Sequence, residues 1–263
     1  MLLRGKNIFL TGGSRGIGKA AVLELVRNGA NVAFTYVESE DGARDTVRLA
    51  REINPEAALF YYRLDVKDSK NVDAVAEKAV KDMGGVNVVV NNAGILRDGP
   101  LHYMTDSQWD EVIRTHLSGT FYVCRAFLEE FIMNNGGRFI NVSSICHTGS
   151  AGQANYSAAK AGIIGFSKAL AKEYGHRNIY CNVIVPGYFK TGLTDANASE
   201  MIVEQFVRLS SLQREGQPDE FGKAVVMLAS DLSSFVNGDV LYVTGGLDTI
   251  PPFNAKKNRK VKA

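Results

Sequence analysis

The chain has 263 residues, of which 45% are hydrophobic and 22% are charged, enough to build one sizeable core in a single domain. Its formal net charge is +2, but residues 251–263 carry five basic side chains and no acidic one, so the rest of the chain carries −3. A weakly acidic body lacks the basic surface of a nucleic-acid-binding protein, and no run approaches the roughly 18 apolar residues of a membrane span.

Short apolar runs rich in β-branched residues alternate with longer segments of helical period along most of the chain. The predicted strands are residues 7–11, 31–36, 57–64, 86–90, 138–143, 179–185 and 240–243. The predicted helices are residues 16–28, 40–53, 69–83, 107–133, 156–174 and 218–230. This alternation predicts a Rossmann-type, doubly wound α/β fold with a seven-stranded, mainly parallel sheet and helices on both faces. We expect one domain over residues 1–250, followed by a flexible basic tail over 251–263.

The three cysteines, Cys124, Cys146 and Cys181, are widely spaced and odd in number. They fit neither a disulfide framework nor a zinc site, and no metal is expected. The opening residues lack the basic start and apolar run of a signal peptide. These features predict a cytoplasmic protein with reduced thiols.

A glycine-rich segment, Thr11-Gly-Gly-Ser-Arg-Gly-Ile-Gly18, joins the first predicted strand to the first predicted helix. Its glycines allow a sharp turn and a close approach of the backbone to a pyrophosphate, which binds the free N–H groups at the start of the helix. The spacing is Gly-x-x-x-Gly-x-Gly, not the commoner Gly-x-Gly-x-x-Gly. It predicts a dinucleotide site at this turn.

This spacing resembles the nucleotide loop of the classical short-chain dehydrogenase/reductase family, and further motifs similar to those of the family follow along the chain. They are Asn91-Asn-Ala-Gly94 after the fourth strand, Ser143-Ser144, Tyr156-Ser-Ala-Ala-Lys160, and Asn182-Val-Ile-Val-Pro-Gly187 with Thr191. The resemblance extends to about Leu247. Within the family, residues 152–168 look most like the 3-oxoacyl-acyl-carrier-protein reductases.

The resemblance implies which residues bind a nicotinamide cofactor and which carry the chemistry. The implied cofactor-binding residues are Thr11, Gly12, Ser14, Arg15, Gly16, Ile17, Gly18, Asp65, Val66, Asn92, Ala93, Gly94, Tyr156, Lys160, Pro186, Gly187, Phe189 and Thr191. Asp65 is implied to meet the adenine, although an aspartate there could also cap a helix. The implied catalytic residues are Ser144, Tyr156, Lys160 and His116.

Reduction of a ketone requires a hydride from the cofactor and a proton for the developing alkoxide. Tyr156 and Lys160 are four residues apart and hence on one face of a helix. The phenol supplies the proton, and we expect the lysine ammonium to lower its pKa. Ser144 would stabilise the oxyanion, but Ser143 remains an alternative because the following loop is one residue shorter than in the reductases it resembles.

His116 stands where the family usually has an asparagine that holds a water linking the active-site lysine to solvent. A neutral imidazole has one donor and one acceptor and could hold the same water. Either His116 serves this relay and the enzyme is active, or the relay is broken and the protein binds nucleotide with little turnover.

The end of the second strand indicates the cofactor. An acid there would bind the ribose hydroxyls and repel a 2′-phosphate, but the strand ends on Thr35-Tyr36, and Arg15 lies in the glycine loop. Both features favour NADPH/NADP⁺, whereas Glu38 is close enough to weaken the preference.

The sequence therefore predicts an NADPH-dependent ketone reductase, acting on a 3-oxoacyl thioester linked to an acyl carrier protein or coenzyme A. The alternatives are another ketone (a steroid, sugar, quinone or polyketide) and a nucleotide-binding partner subunit of low turnover. By resemblance, Arg177 meets an acidic carrier protein, while Asn135 replaces a second basic position. Resemblance also implies a homotetramer, paired through the long helices and the C-terminal strand.

Overall fold

The computed structural model describes residues 1–191 and 200–247. Within these ranges, seven strands form one sheet in the order β3-β2-β1-β4-β5-β6-β7, and every neighbouring pair is parallel. The strands are β1 (Asn7–Thr11), β2 (Asn31–Tyr36), β3 (Leu59–Arg63), β4 (Val88–Asn91), β5 (Gly137–Val142), β6 (Ile179–Pro186) and β7 (Val240–Val243). The strand order reverses between β1 and β4, and ligands of such sheets bind outside the carboxyl ends of the strands at this point. The predicted fold is confirmed.

Helices cover both faces of the sheet. They are α1 (Gly16–Arg27), α2 (Glu40–Ile53), α3 (Ser69–Met83), α4 (Asp106–Ile113), α5 (Gly119–Met133), α6 (Ala154–Tyr174), α7 (Glu200–Leu209) and α8 (Pro218–Ala229). One buried cluster joins the sheet to α1, α2 and α8, and the other joins it to α3, α5 and α6. Adjacent valines of β4 alternate between these clusters, Val88 and Val90 in the first and Val89 in the second. The strand is therefore buried on both faces, as its sequence indicates.

The predicted long helix over residues 107–133 is present, but it contains a π-helical turn that was not predicted. This turn, Arg114–Ser118, contains His116 and lies between α4 and α5. A π turn accommodates one more residue than an α turn and is common at functional sites. α7 was not predicted, and the predicted tail, residues 251–263, lies outside the described residues.

None of the helices in the described ranges is long and apolar enough to cross a membrane. Cys124 and Cys181 are buried, Cys146 is half-buried, and all three thiols are free.

Candidate active site

The glycine loop between β1 and α1 has the shape of a phosphate cradle. Gly12 and Gly16 have φ angles of +77° and +58°, which favour glycine. A side chain at Gly18 would collide with the Gly12 carbonyl. α1 has neither an acidic residue in its first turn nor a side-chain cap at Arg15, so its first N–H groups face outward without a competing anion. These residues fit the pyrophosphate of a dinucleotide.

Hydrogen bonds tie the glycine loop to the segment that follows β4. The Asn92 amide donates to the carbonyl oxygens of Thr11 and Gly12, both at 3.0 Å. In return, Thr11 Oγ1 accepts from the backbone N–H groups of Asn92 and Ala93 at 3.0 and 3.1 Å. The side chains of Thr11 and Asn92 therefore hold the two loops in register at the carboxyl ends of β1 and β4.

The adenosine end of the predicted site lies beyond β2 and β3. Thr35 Oγ1 accepts from Gly12 N at 3.2 Å and is buried. Asp65 accepts from Lys67 N at 3.0 Å and so shapes the turn after β3, next to the buried Val66. The cap of α3 is Asp68, not Asp65.

The segment after β6 reaches back toward the same edge. Pro186 ends β6, Gly187 packs against the backbone of Thr244, and Phe189 is buried and forms a bridge with Gly216. Thr191 lies beside Gly16, where an added Cβ would be 3.7 Å from Thr191 Cβ. The implied cofactor-binding segment from Pro186 to Thr191 thus meets the glycine loop. We also expect the segment from 187 to about 210 to be mobile and to cover the substrate, and its residues 192–199 lie outside the described residues.

Ser144, Tyr156 and Lys160 meet at the carboxyl end of β5 and the start of α6. Lys160 is 3% exposed, and its Nζ donates to the Val142 carbonyl oxygen at 2.7 Å and lies 5.5 Å from the centre of the Tyr156 ring. Ser144 Oγ accepts from Cys146 N at 3.2 Å and lies beside the Tyr156 phenol. The three side chains form one cluster.

The neighbouring serine points elsewhere. Ser143 Oγ donates to the backbone carbonyl of Lys160 at 2.8 Å and is 1% exposed. Of the two serines left open by the sequence, Ser144 is thus the one beside the phenol.

Burial dominates the ionisation of this cluster. It raises the pKa of Tyr156, and the nearby Cys146 raises it further, while the neighbouring Ser144 hydroxyl lowers it. Burial also lowers the pKa of Lys160 from 10.5 to about 7. The net shift of the Tyr156 pKa is therefore upward and not downward as expected, because removing both groups from water penalises both charged forms.

His116 fills the space between the cluster and the segment after β4. Its Nε2 lies 3.1 Å from the amide nitrogen and 2.8 Å from the carbonyl oxygen of Ile95. Its Nδ1 is buried without a hydrogen-bond partner, and an added Cβ at Gly94 would collide with the ring. Burial and the charge of Lys160 hold its pKa well below the usual value, so the imidazole is neutral.

Two features of this edge were missed by sequence reasoning. The buried Asn155 donates from its amide to the carbonyl oxygens of Arg97 and Gln108, both at 3.1 Å, and fixes the residue before Tyr156. Gln153 donates to Asp98 at 2.8 Å and links the residue before α6 to the segment after β4. The polar residues directly before Tyr156 were the available signal.

The two positions expected to meet a carrier protein lie elsewhere. Arg177 is exposed in the turn after α6, and Asn135 has a left-handed φ of +49°.

A family model described as enoyl-(acyl carrier protein) reductase matches residues 12–248. The chain is 39% identical over 247 residues to the 3-oxoacyl-acyl-carrier-protein reductase of Chlamydia trachomatis serovar D, covering 94% of this chain and 98% of that protein. It is 39% identical over 248 residues to the reductase of the same name from Salmonella typhimurium, covering 94% and 99%.

Solved structures agree in fold over nearly the whole chain. Levodione reductase superposes with a TM-score of 0.88 at 28% identity, covering 93% of this chain and 98% of that one. A short-chain dehydrogenase from Burkholderia cenocepacia in complex with NADP gives a TM-score of 0.88 at 28% identity, covering 95% and 100%.

Proposed function

The chain belongs to the short-chain dehydrogenase/reductase family, and from its site we propose that it reduces a 3-oxoacyl thioester to the 3-hydroxyacyl product with NADPH. The observation that carries this proposal is the cluster of Ser144, Tyr156 and Lys160 at the sheet edge that also holds the glycine loop. A proton donor thus lies at the edge where a dinucleotide would bind. The names of the curated relatives support the 3-oxoacyl substrate.

Each residue of the cluster has a distinct role in this proposal. When bound, the reduced nicotinamide supplies a hydride to the carbonyl carbon. Tyr156 donates its phenolic proton to the carbonyl oxygen, and its raised pKa keeps that proton in place at neutral pH. Ser144 donates a hydrogen bond to the same oxygen, and Lys160, when protonated, stabilises the phenolate that forms.

The cofactor would be held by the residues already placed along the sheet edge. The backbone of the glycine loop and the start of α1 bind the pyrophosphate, Asp65 meets the adenine, and Lys160 meets the nicotinamide ribose. The segment from Pro186 to Thr191 covers the nicotinamide. His116 positions the Ile95 backbone and leaves Nδ1 available for a water beside Lys160.

The assembly is part of the same proposal. Arg177, exposed after α6, would contact an acidic acyl carrier protein. A homotetramer paired through α5 and the region around β7 would cover exposed aromatic side chains there: Phe121 on α5, Phe235 and Tyr242 are 41%, 101% and 41% exposed.

The test is NADPH oxidation with acetoacetyl, crotonyl and non-thioester ketone substrates. We expect turnover with the acetoacetyl thioester, and Tyr156→Phe should reduce kcat by at least about a hundredfold while NADP⁺ binding is retained. A preference for crotonyl thioester would indicate enoyl reduction, and a preference for a free ketone would indicate another reductase. Nucleotide binding without turnover on any substrate would support the low-turnover subunit.

A further inference from the structure

A cavity of about 540 Å³ opens beyond the end of β2, between the glycine loop and the start of α2. Its lining residues are Arg15, Glu38, Ser39, Glu40, Asp41 and Arg44. We infer that Arg44 is a second cation for the adenosine 2′-phosphate and that Glu40 restrains it. This inference rests on the proposed use of NADPH. It adds Arg44 on α2 to Arg15, the cation that the glycine loop provides.

The start of α2 is fastened to the glycine loop, which fixes Arg44 relative to Arg15. Thr46 Oγ1 lies 3.2 Å from the Gly13 carbonyl oxygen and 2.9 Å from that of Gly42, and so bridges α2 and the glycine loop. Gly42 packs so closely that an added Cβ would lie 2.8 Å from the Ser14 carbonyl oxygen. Lys19 on α1 also pairs with Asp45 on α2 at 2.5 Å. The two arginines therefore face one cavity from two rigidly connected elements.

The charges of the lining show why one arginine is insufficient. Three carboxylates and two guanidiniums line the cavity, which gives a net charge of −1 before any phosphate enters. Arg15 alone would face a dianionic phosphate beside Glu38 and Asp41. Because these carboxylates repel a phosphate dianion, we expect a bound 2′-phosphate to draw the second guanidinium toward it.

Arg44 is available for this movement because its present partner holds it weakly. It donates to Glu40 Oε1 from Nε at 3.2 Å and from Nη2 at 2.8 Å, and its side chain is 65% exposed. Exposed pairs one helical turn apart contribute little stability. Arg44 and, to a smaller extent, Tyr36 lower the pKa of Glu40, and Tyr36 remains beside the carboxylate when Arg44 leaves. A phosphate can accept two parallel hydrogen bonds from one guanidinium, whereas the present pair uses the single oxygen Oε1 of Glu40.

The test measures binding by calorimetry, with NADP⁺, NAD⁺ and adenosine 2′,5′-bisphosphate as probes. Arg44→Ala should weaken NADP⁺ and the bisphosphate about tenfold and change NAD⁺ by less than about twofold, as expected for loss of one charge-assisted contact. Arg48→Ala is the matched control, since Arg48 lies one turn further along α2, pairs with Asp45 and Glu52, and does not line the cavity. It should change none of the three.

Variants of Glu40 test whether Arg44 contacts the 2′-phosphate directly or acts only by neutralising the Glu40 carboxylate. Glu40→Gln should tighten NADP⁺ binding, and Arg44→Ala added to Glu40→Gln should weaken it again. The inference is overturned if Arg44→Ala leaves NADP⁺ binding unchanged, weakens NADP⁺ and NAD⁺ equally, or has no effect once Glu40 is neutralised. If the unmodified protein itself prefers NAD⁺, the proposed NADPH use fails, which is a separate outcome.

Discussion

The imidazole of His116 stands edge-on to the phenol ring of Tyr156, with ring centres 5.1 Å apart and planes at 89°. The same imidazole holds Ile95 through Nε2, so one side chain connects the proton donor to the backbone after β4. Only Nδ1 is left to serve a proton relay. Because the ring is neutral, its contribution to a relay would be to hold a water, not to carry charge.

Replacement of His116 tests this role. His116→Asn should retain kcat within about tenfold, since an amide also offers a donor and an acceptor, and His116→Ala should lose more than that. The measurement is kcat across pH for both variants. Neither profile should lose a titration that the unmodified enzyme shows between about pH 6 and 8, because His116 itself does not titrate there. If the alanine variant equals the unmodified enzyme at every pH, His116 is a packing residue.

Gly94 and His116 are predicted to be coupled. A methyl group at Gly94 would collide with the imidazole, and overpacking of this kind costs about 1–3 kcal/mol. Gly94→Ala should therefore lower both stability and kcat, and His116→Ala in the same chain should restore part of the stability. Urea unfolding of the two single variants and the double variant measures the coupling. Strictly additive losses would show that the collision is relieved elsewhere.

The sequence was sufficient for the fold because its signals were local. The valines of β4 and the glycine loop each reflect a constraint within a few residues, and both lie where they were predicted. His116 lies in the π turn and contacts Ile95, twenty-one positions away, and periodicity shows neither the turn nor the contact. The pKa of Tyr156 was misjudged for a related reason, since burial is set by the whole fold while the spacing to Lys160 is visible in the sequence.

The pH dependence of reduction should follow Lys160. Its folded-state pKa is lowered to about 7, so the ammonium that stabilises the Tyr156 phenolate is present below that pH and is lost above it. We expect kcat for ketone reduction to fall as pH rises through about 7, by up to tenfold per pH unit if the ammonium is essential. Steady-state kcat between about pH 5.5 and 9 measures this. A flat profile would mean that the charge of Lys160 does not limit turnover.

The same shift predicts a pH-dependent gain in stability for Lys160→Met. The folded protein pays the full cost of burying the ammonium below about pH 7, and that cost shrinks as pH rises toward the unfolded pKa of 10.5. The variant should therefore be stabilised most near pH 6.5 and progressively less toward about pH 10. Free energies of unfolding of both proteins at the two pH values give the difference directly. A gain that is equal at both values would contradict the lowered pKa.

Ser143 and Ser144 provide a matched pair of adjacent hydroxyls with different partners. Ser144 lies beside the Tyr156 phenol and accepts from Cys146 N, whereas Ser143 donates to the Lys160 carbonyl oxygen inside the core. Ser144→Ala should lower kcat by about 10²–10³-fold, the usual cost of losing an oxyanion donor, with little change in the free energy of unfolding.

Ser143→Ala should show the reverse pattern. Removal of its hydrogen bond should destabilise the protein by about 1–3 kcal/mol, because the buried Lys160 carbonyl loses that partner, and should reduce kcat by far less than Ser144→Ala does. Both variants need kcat, the NADP⁺ dissociation constant and the unfolding free energy measured under one condition. If Ser143→Ala removes activity while the protein remains fully stable, the catalytic serine has been assigned to the wrong member of the pair.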